Sequence, residues 1–159
     1  MVLGVYTKSL GPVFARALRD AKVERAMVVC GQEGLDEISI AGGTWVWTLR
    51  DGKITESVIH PSHFGLRAQP LERVAGATPA ENAATLTALL QDKEAPNLKA
   101  PASLDAIRDF ILLNAAALLV VAGKAGDFIE GVALAREAIT SGKAWQALQD
   151  FRNMSVERA

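Results

Sequence analysis

The strongest constraint on the fold lies at the start of the chain, where two apolar runs bracket a segment of helical period. VLGVY, Val2 to Tyr6, reads as a buried strand ended by polar residues and Gly11-Pro12. PVFARALRDA, Pro12 to Ala21, then places Val13, Phe14, Ala17, Leu18 and Ala21 on one helical face. Pro12 suits the first helical position, where no amide donor is lost. RAMVVCG supplies the second run, Ala26 to Cys30, bounded by Gly31. Strand, helix, strand is a parallel crossover unit, which predicts two neighbouring strands in a sheet covered on its faces.

A different pattern follows. TWVWTLRDGKITESVIHP has two alternating segments around Asp51-Gly52, a strong signal for an antiparallel hairpin. Trp45, Trp47 and Leu49 share one face, and Ile54 and Val58 share a face on the return strand. Sheet packing accounts for the tryptophans better than base stacking does. HPSHFGLRAQP is an irregular loop, after which the chain turns helical. Thr78-Pro79-Ala80-Glu81 is a capping box that opens ENAATLTALLQ. A polar, proline-broken linker runs from Asp92 to Ser103. A hydrophobic helix then spans about Leu104 to Ala122, and Phe110 to Ala122 should be the most buried helical segment. DFIEGVALAREAIT carries an apolar stripe of Phe128, Val132, Ala135 and Ile139 and ends at Ser141-Gly142; KAWQALQDFR forms a last helix. The expected class is α/β: a partial parallel sheet with a crossover helix, an antiparallel hairpin and a helical carboxyl-terminal half.

The 159 residues amount to one domain, with no internal repeat. Seventeen basic and eighteen acidic residues leave a net charge of -1, which gives no case for nucleic-acid or membrane-surface binding. FILLNAAALLVVA, Phe110 to Ala122, falls short of the roughly 20 apolar residues of a membrane span. MVLGVYTKSLGP has too short an apolar run for a secretory peptide. Cys30 is the only cysteine, so no internal disulfide forms and a reducing, cytoplasmic compartment is expected. Within MVVCG it reads as a small buried apolar residue rather than a nucleophile.

Chemistry is most concentrated in CGQEGLDEISIAGGT, Cys30 to Thr44. In an open parallel sheet, ligands collect beyond the carboxyl ends of the strands, where this loop would stand. Gly31 and Gly34 permit tight turns, while Asp36 and Glu37 offer the hard oxygen ligands that magnesium prefers. Adjacent residues of an extended strand face opposite ways, so both can reach one ion only where the chain bends. A solvated turn is the competing reading, and composition alone favours it. His60 and His63 lack the further ligands of a closed metal site and fit a rim or loop role. Lys124 and Lys143 follow glycines without the spacing of a phosphate-binding loop. Asn114 reads as a core asparagine satisfying neighbouring backbone. No nucleophile-base arrangement follows from spacing.

The order of motifs adds to these observations. GVYTKSLGPVFARAL, ERAMVVCGQEGLDEIS, GGTWVWTLRDGKI, HFGL, TPAENA, LLNAAALLVVAGKA and EGVALAREAITSGKA together resemble the carboxyl-terminal half of the anthranilate phosphoribosyltransferase family, over nearly the whole chain. That family moves phosphoribose from phosphoribosyl pyrophosphate onto anthranilate in tryptophan biosynthesis, and its catalytic domain resembles that of pyrimidine nucleoside phosphorylases. The resemblance implies that residues 1–159 are the carboxyl-terminal portion of a catalytic domain. It implies Asp36 and Glu37 as ligands of Mg2+ near the pyrophosphate, with phosphoribosyl pyrophosphate and anthranilate as partners of the complete enzyme.

The chain also departs from the family pattern. The family's G-T-G-G-D phosphate loop and amino-terminal helical domain lie upstream of the matched segment. Cys30 stands where many relatives have histidine, and the linker before the hydrophobic helix is longer than usual. The chain alone is therefore expected to be inactive, with an exposed truncated face through which it associates with the missing part or with a second copy. A noncatalytic binding or scaffolding remnant of the same fold is the alternative.

Overall fold

The computed structural model describes residues 1–94 and 98–156; the middle of the predicted linker, residues 95–97, lies outside the described residues. Four strands form one sheet in the order β1 (Val2–Gly4), β2 (Arg25–Gly31), β3 (Thr44–Arg50) and β4 (Lys53–Ile59). The β1–β2 pair is parallel, in a register that sets Val2, Leu3 and Gly4 opposite Met27, Val28 and Val29. Helix α1 (Gly11–Asp20) makes the crossover between them. The predicted crossover unit is present, and the predicted hairpin turns at Asp51-Gly52, where Arg50 pairs with Lys53 and both turn residues take positive φ. The hairpin is not a separate layer. β3 runs antiparallel to β2 over seven residue pairs, from Arg25 opposite Arg50 to Gly31 opposite Thr44, and continues the same mixed sheet.

Side chains of β2 alternate between two cores, which explains why AMVVC is apolar throughout. Val28 and Cys30 face one side, with Val5, Ala15 and Trp47. Met27 and Val29 face the other, with Val46, Ile59 and residues of the helical half. That half comprises α2 (Pro79–Leu90), α3 (Leu104–Val121), α4 (Phe128–Thr140) and α5 (Lys143–Val156). Helix α3 buries Ala106, Leu112, Leu113, Ala116 and Ala117, and α4 buries Gly131, Val132, Ala135 and Ile139, so among the described residues the predicted segment Phe110 to Ala122 buries as many residues as α4 and no more. The stripe of α4 also faces the core: Val132, Ala135 and Ile139 are buried and Phe128 packs against them. Phe128 stacks on Phe64 of the turn after β4, with ring centroids 4.3 Å apart.

Two helix starts rest on side-chain caps. Thr78 Oγ1 accepts from the Glu81 amide at 3.3 Å while the Thr78 amide donates to Glu81 Oε2 at 3.0 Å. Asp127 Oδ1 accepts from the Glu130 amide at 2.8 Å and caps α4.

Two expectations require correction. β1 ends at Gly4, although the Val5 amide still donates to the Val29 carbonyl at 2.9 Å, and Tyr6 is largely exposed. On α1 the buried residues are Gly11 and Ala15, with Leu18 partly buried; Val13 and Phe14 are 50% and 39% exposed. The cause is the bulk of Trp47. A Cβ on Gly11 would fall 2.1 Å from its ring, so the helix meets the sheet through its smallest residues and turns its larger apolar ones outward.

Candidate functional site

The loop from Gln32 to Gly43 leaves the carboxyl end of β2 and returns into β3, at the same edge as the end of β1. It is folded by short hydrogen bonds rather than extended. The Gly31 amide donates to the Leu35 carbonyl at 2.7 Å and the Gly34 amide to the Gly31 carbonyl at 2.9 Å, with Gly34 at φ +86°. This turn ends at Leu35, directly before the two adjacent carboxylates.

Beyond the bend the loop is tied down at several points. Thr44 Oγ1 accepts from the buried Ser39 amide at 2.9 Å. Ser39 Oγ in turn accepts from the Ala41 and Gly42 amides at 2.9 and 3.2 Å and donates to the Glu33 carboxylate. The Gln32 amide donates to the Gly43 carbonyl at 2.9 Å and closes the loop's neck. Gly4 of β1 sits directly beneath the main chain of Asp36, a contact that leaves no room for any side chain there. Ile38 and Ile40, fully buried, root the loop in the α3–α4 core.

Asp36 and Glu37 themselves are exposed at the top of this scaffold. Partial desolvation pushes the Glu37 carboxyl above the usual carboxylate range, and the neighbouring Asp36 carboxylate adds to it. Burial raises the Cys30 thiol above its ordinary value, helped by the charges of Glu33 and Asp36, so Cys30 is a buried apolar filler and not a thiolate nucleophile.

The remaining candidates lie elsewhere. His60 and His63 flank the turn after β4, where the His60 amide donates to His63 Nδ1 at 3.2 Å. Lys143 opens α5 with its Nζ 3.5 Å from Glu137, and Lys124 lies exposed in the α3–α4 connection. Asn114 hydrogen-bonds backbone, as its position in the core helix predicts. Among the described residues, no three His, Cys, Asp or Glu side chains converge so as to hold a metal by themselves.

Sequence reasoning missed the supports: Glu33, Ser39, Thr44 and Gly4. SIAGGT does hold a signal for two of them, because hydroxyl residues flanking a small-residue turn bond local backbone. Nothing in VLGVY marks Gly4, whose partner lies far along the chain.

The arrangement has clear counterparts among known proteins. The family model for the glycosyl transferase family, a/b domain, matches residues 1–145. The chain belongs to this family. Among curated members, the chain is 44% identical over 156 residues to the anthranilate phosphoribosyltransferase of Schizosaccharomyces pombe, covering 98% of this chain and 42% of that protein. The structure of the Saccharomyces cerevisiae enzyme in complex with PRPP and Mg matches 94% of the chain and 41% of its own length, with a TM-score of 0.82 at 34% identity. The Thermus thermophilus enzyme matches 98% of the chain and 42% of its own length, with a TM-score of 0.75 at 34% identity. The chain therefore spans about two fifths of the length of these glycosyl transferase family relatives.

Proposed function

We propose that the chain is the carboxyl-terminal portion of an anthranilate phosphoribosyltransferase catalytic domain, and that Asp36 and Glu37 are its ligands for Mg2+. The observation that supports this reading is the folded loop at the carboxyl edge of β1 and β2, which presents the two adjacent carboxylates exposed at that edge. The donor set fits the ion. Magnesium is commonly held by one or two carboxylates, with water and substrate phosphate completing an octahedron. The two acids, with no third protein ligand converging among the described residues, match that pattern better than a closed protein cage. When bound, the ion would neutralise charge on a pyrophosphate leaving group.

The chain's own part is positional. Anthranilate carries an amine that is already a nucleophile, so holding sugar and amine in line supplies much of the rate. Asp36 and Glu37 would fix the pyrophosphate end of the donor, leaving the anthranilate contacts to residues that precede this segment in its relatives. The uncovered apolar side chains Tyr6, Val13 and Phe14 suit a surface that packs against that preceding part.

The test is complementation. The purified chain alone is expected to form no phosphoribosylanthranilate, because the family's phosphate loop supplies backbone donors that one metal corner cannot replace. Fusion to the amino-terminal part of the Schizosaccharomyces pombe relative should produce turnover. An unproductive, fully folded fusion would favour the noncatalytic reading. Turnover by the chain alone, free of host enzyme, would overturn its dependence on the part that precedes this segment in its relatives.

A further inference from the structure

Ile38 directly follows the acidic pair, and its side chain is fully buried in the α3–α4 core. Its backbone belongs to no strand, yet both polar groups are satisfied by one side chain from a distant helix. The Ile38 amide donates to Asn114 Oδ1 at 3.0 Å, and Asn114 Nδ2 donates back to the Ile38 carbonyl at 3.2 Å. An asparagine amide presents the same donor and acceptor as a peptide, so Asn114 stands in for a neighbouring strand at this single residue.

Asn114 is itself held. Its Nδ2 also donates to the Phe110 carbonyl one turn earlier on α3, at 3.1 Å. Both amide protons are therefore engaged, which fixes the side chain's orientation. Its neighbours Leu112, Leu113, Ala116 and Ala117 are fully buried, so the anchor stands in the core. The amide that Asn114 binds belongs to the peptide linking Glu37 to Ile38. Rotation of that peptide would redirect Glu37 relative to Asp36, and the two-point clasp opposes it.

We propose that Asn114 is a positioning residue for the acidic pair: by clasping both backbone groups of Ile38, it holds Asp36 and Glu37 in the orientation that lets them share one hydrated divalent cation. The inference rests on the reading of that pair as the metal corner. It assigns Asn114 a role beyond satisfying buried backbone, because the group it orients is the one that meets the ion.

The test uses the 159-residue chain and Mn2+ as a paramagnetic probe, read by broadening of backbone amide resonances across residues 36–39, with amide exchange measured at Ile38. Broadening in the parent chain should centre on Asp36 and Glu37 and vanish in the Asp36→Asn, Glu37→Gln double variant. Asn114→Leu should expose the Ile38 amide to exchange and weaken apparent Mn2+ affinity about tenfold, the scale typical of groups that orient metal ligands. If Asn114→Leu does not fold, Asn114→Ser is read in the same way. Ile139→Ala, a core lesion on α4, should lower Tm without changing Mn2+ affinity. Loss of affinity in the double variant with parent-like affinity in a folded Asn114 variant would overturn the positioning role alone. Equal weakening by Ile139→Ala would overturn it too, by reducing the effect to general stability. Parent-like broadening in the double variant would remove the metal reading and this inference with it.

Discussion

Gly4 and Asp36 touch across the carboxyl edge of the sheet: a Cβ on Gly4 would lie 1.4 Å from the Asp36 carbonyl oxygen. The first strand thereby sets the height at which the acidic loop rides. Gly4→Ala must displace the loop, β1 or both, and is expected to cost about 1–3 kcal/mol, the range of overpacking in a tight core. Urea denaturation measures it. A neutral Gly4→Ala would mean that the loop is not seated on β1.

The acidic pair should reveal its proximity by titration. Asp36→Asn removes the neighbouring charge, so the Glu37 carboxyl should fall toward its ordinary value. A raised carboxyl pKa means that the folded chain binds the proton more tightly than the unfolded one. Ionisation of Glu37 therefore opposes folding once pH passes the unfolded value, and the penalty is complete above the folded one. Relative to Asp36→Asn, the parent chain should gain stability as pH falls through that window. Carbon-detected NMR of the Glu37 carboxyl checks the shift; an unchanged midpoint in Asp36→Asn would show that the two side chains do not interact.

Helix α1 offers a test of its orientation. Ala15 is fully buried against Trp47, so Ala15→Leu should destabilise by about 1–3 kcal/mol through overpacking. Val13→Ser, on the outward face of the isolated chain, should change stability by no more than about 0.5 kcal/mol. Thermal unfolding of both variants measures the contrast. The reverse order of effects would place the larger apolar face inward.

At the start of α2, hydrogen bonds from Thr78 and the nearby Lys99 ammonium hold the Glu81 carboxyl down to about 2. A depressed carboxyl pKa stabilises the fold above the unfolded value and loses that contribution as pH falls toward about 2. Thr78→Ala should raise the Glu81 pKa and flatten the acid limb of stability against pH. An identical acid limb in Thr78→Ala would mean that the capping box does not form in solution.

Much of this architecture was legible in local pattern. The period of VLGVY, PVFARALRDA and RAMVVCG specifies the crossover, Asp51-Gly52 specifies the hairpin, and Thr78 with Glu81 specifies a helix start, because each signal concerns residues close in sequence. The burial of α1 was not legible. Counting apolar residues favours Val13 and Phe14, whereas Trp47, brought in by tertiary pairing, selects Gly11 and Ala15. The candidate site divides in the same way. GLDEIS marks its acids and the resemblance implies their ion. The contacts that shape the loop, Gly4 with Asp36 and Asn114 with Ile38, join distant segments and leave no periodic trace.

The proposed role of Asp36 and Glu37 is to form the magnesium corner of a phosphoribosyltransferase. Its most direct test is a magnesium titration of the chain fused to the amino-terminal part of the Schizosaccharomyces pombe relative, at fixed phosphoribosyl pyrophosphate. The parent fusion is compared with Asp36→Asn, Glu37→Gln. Neutral amides of the same shape hold magnesium less well against its hydration, so the double variant should turn over far more slowly and require more magnesium while remaining folded. Superimposable curves with unchanged turnover would contradict the claim and return the two acids to a solvated turn.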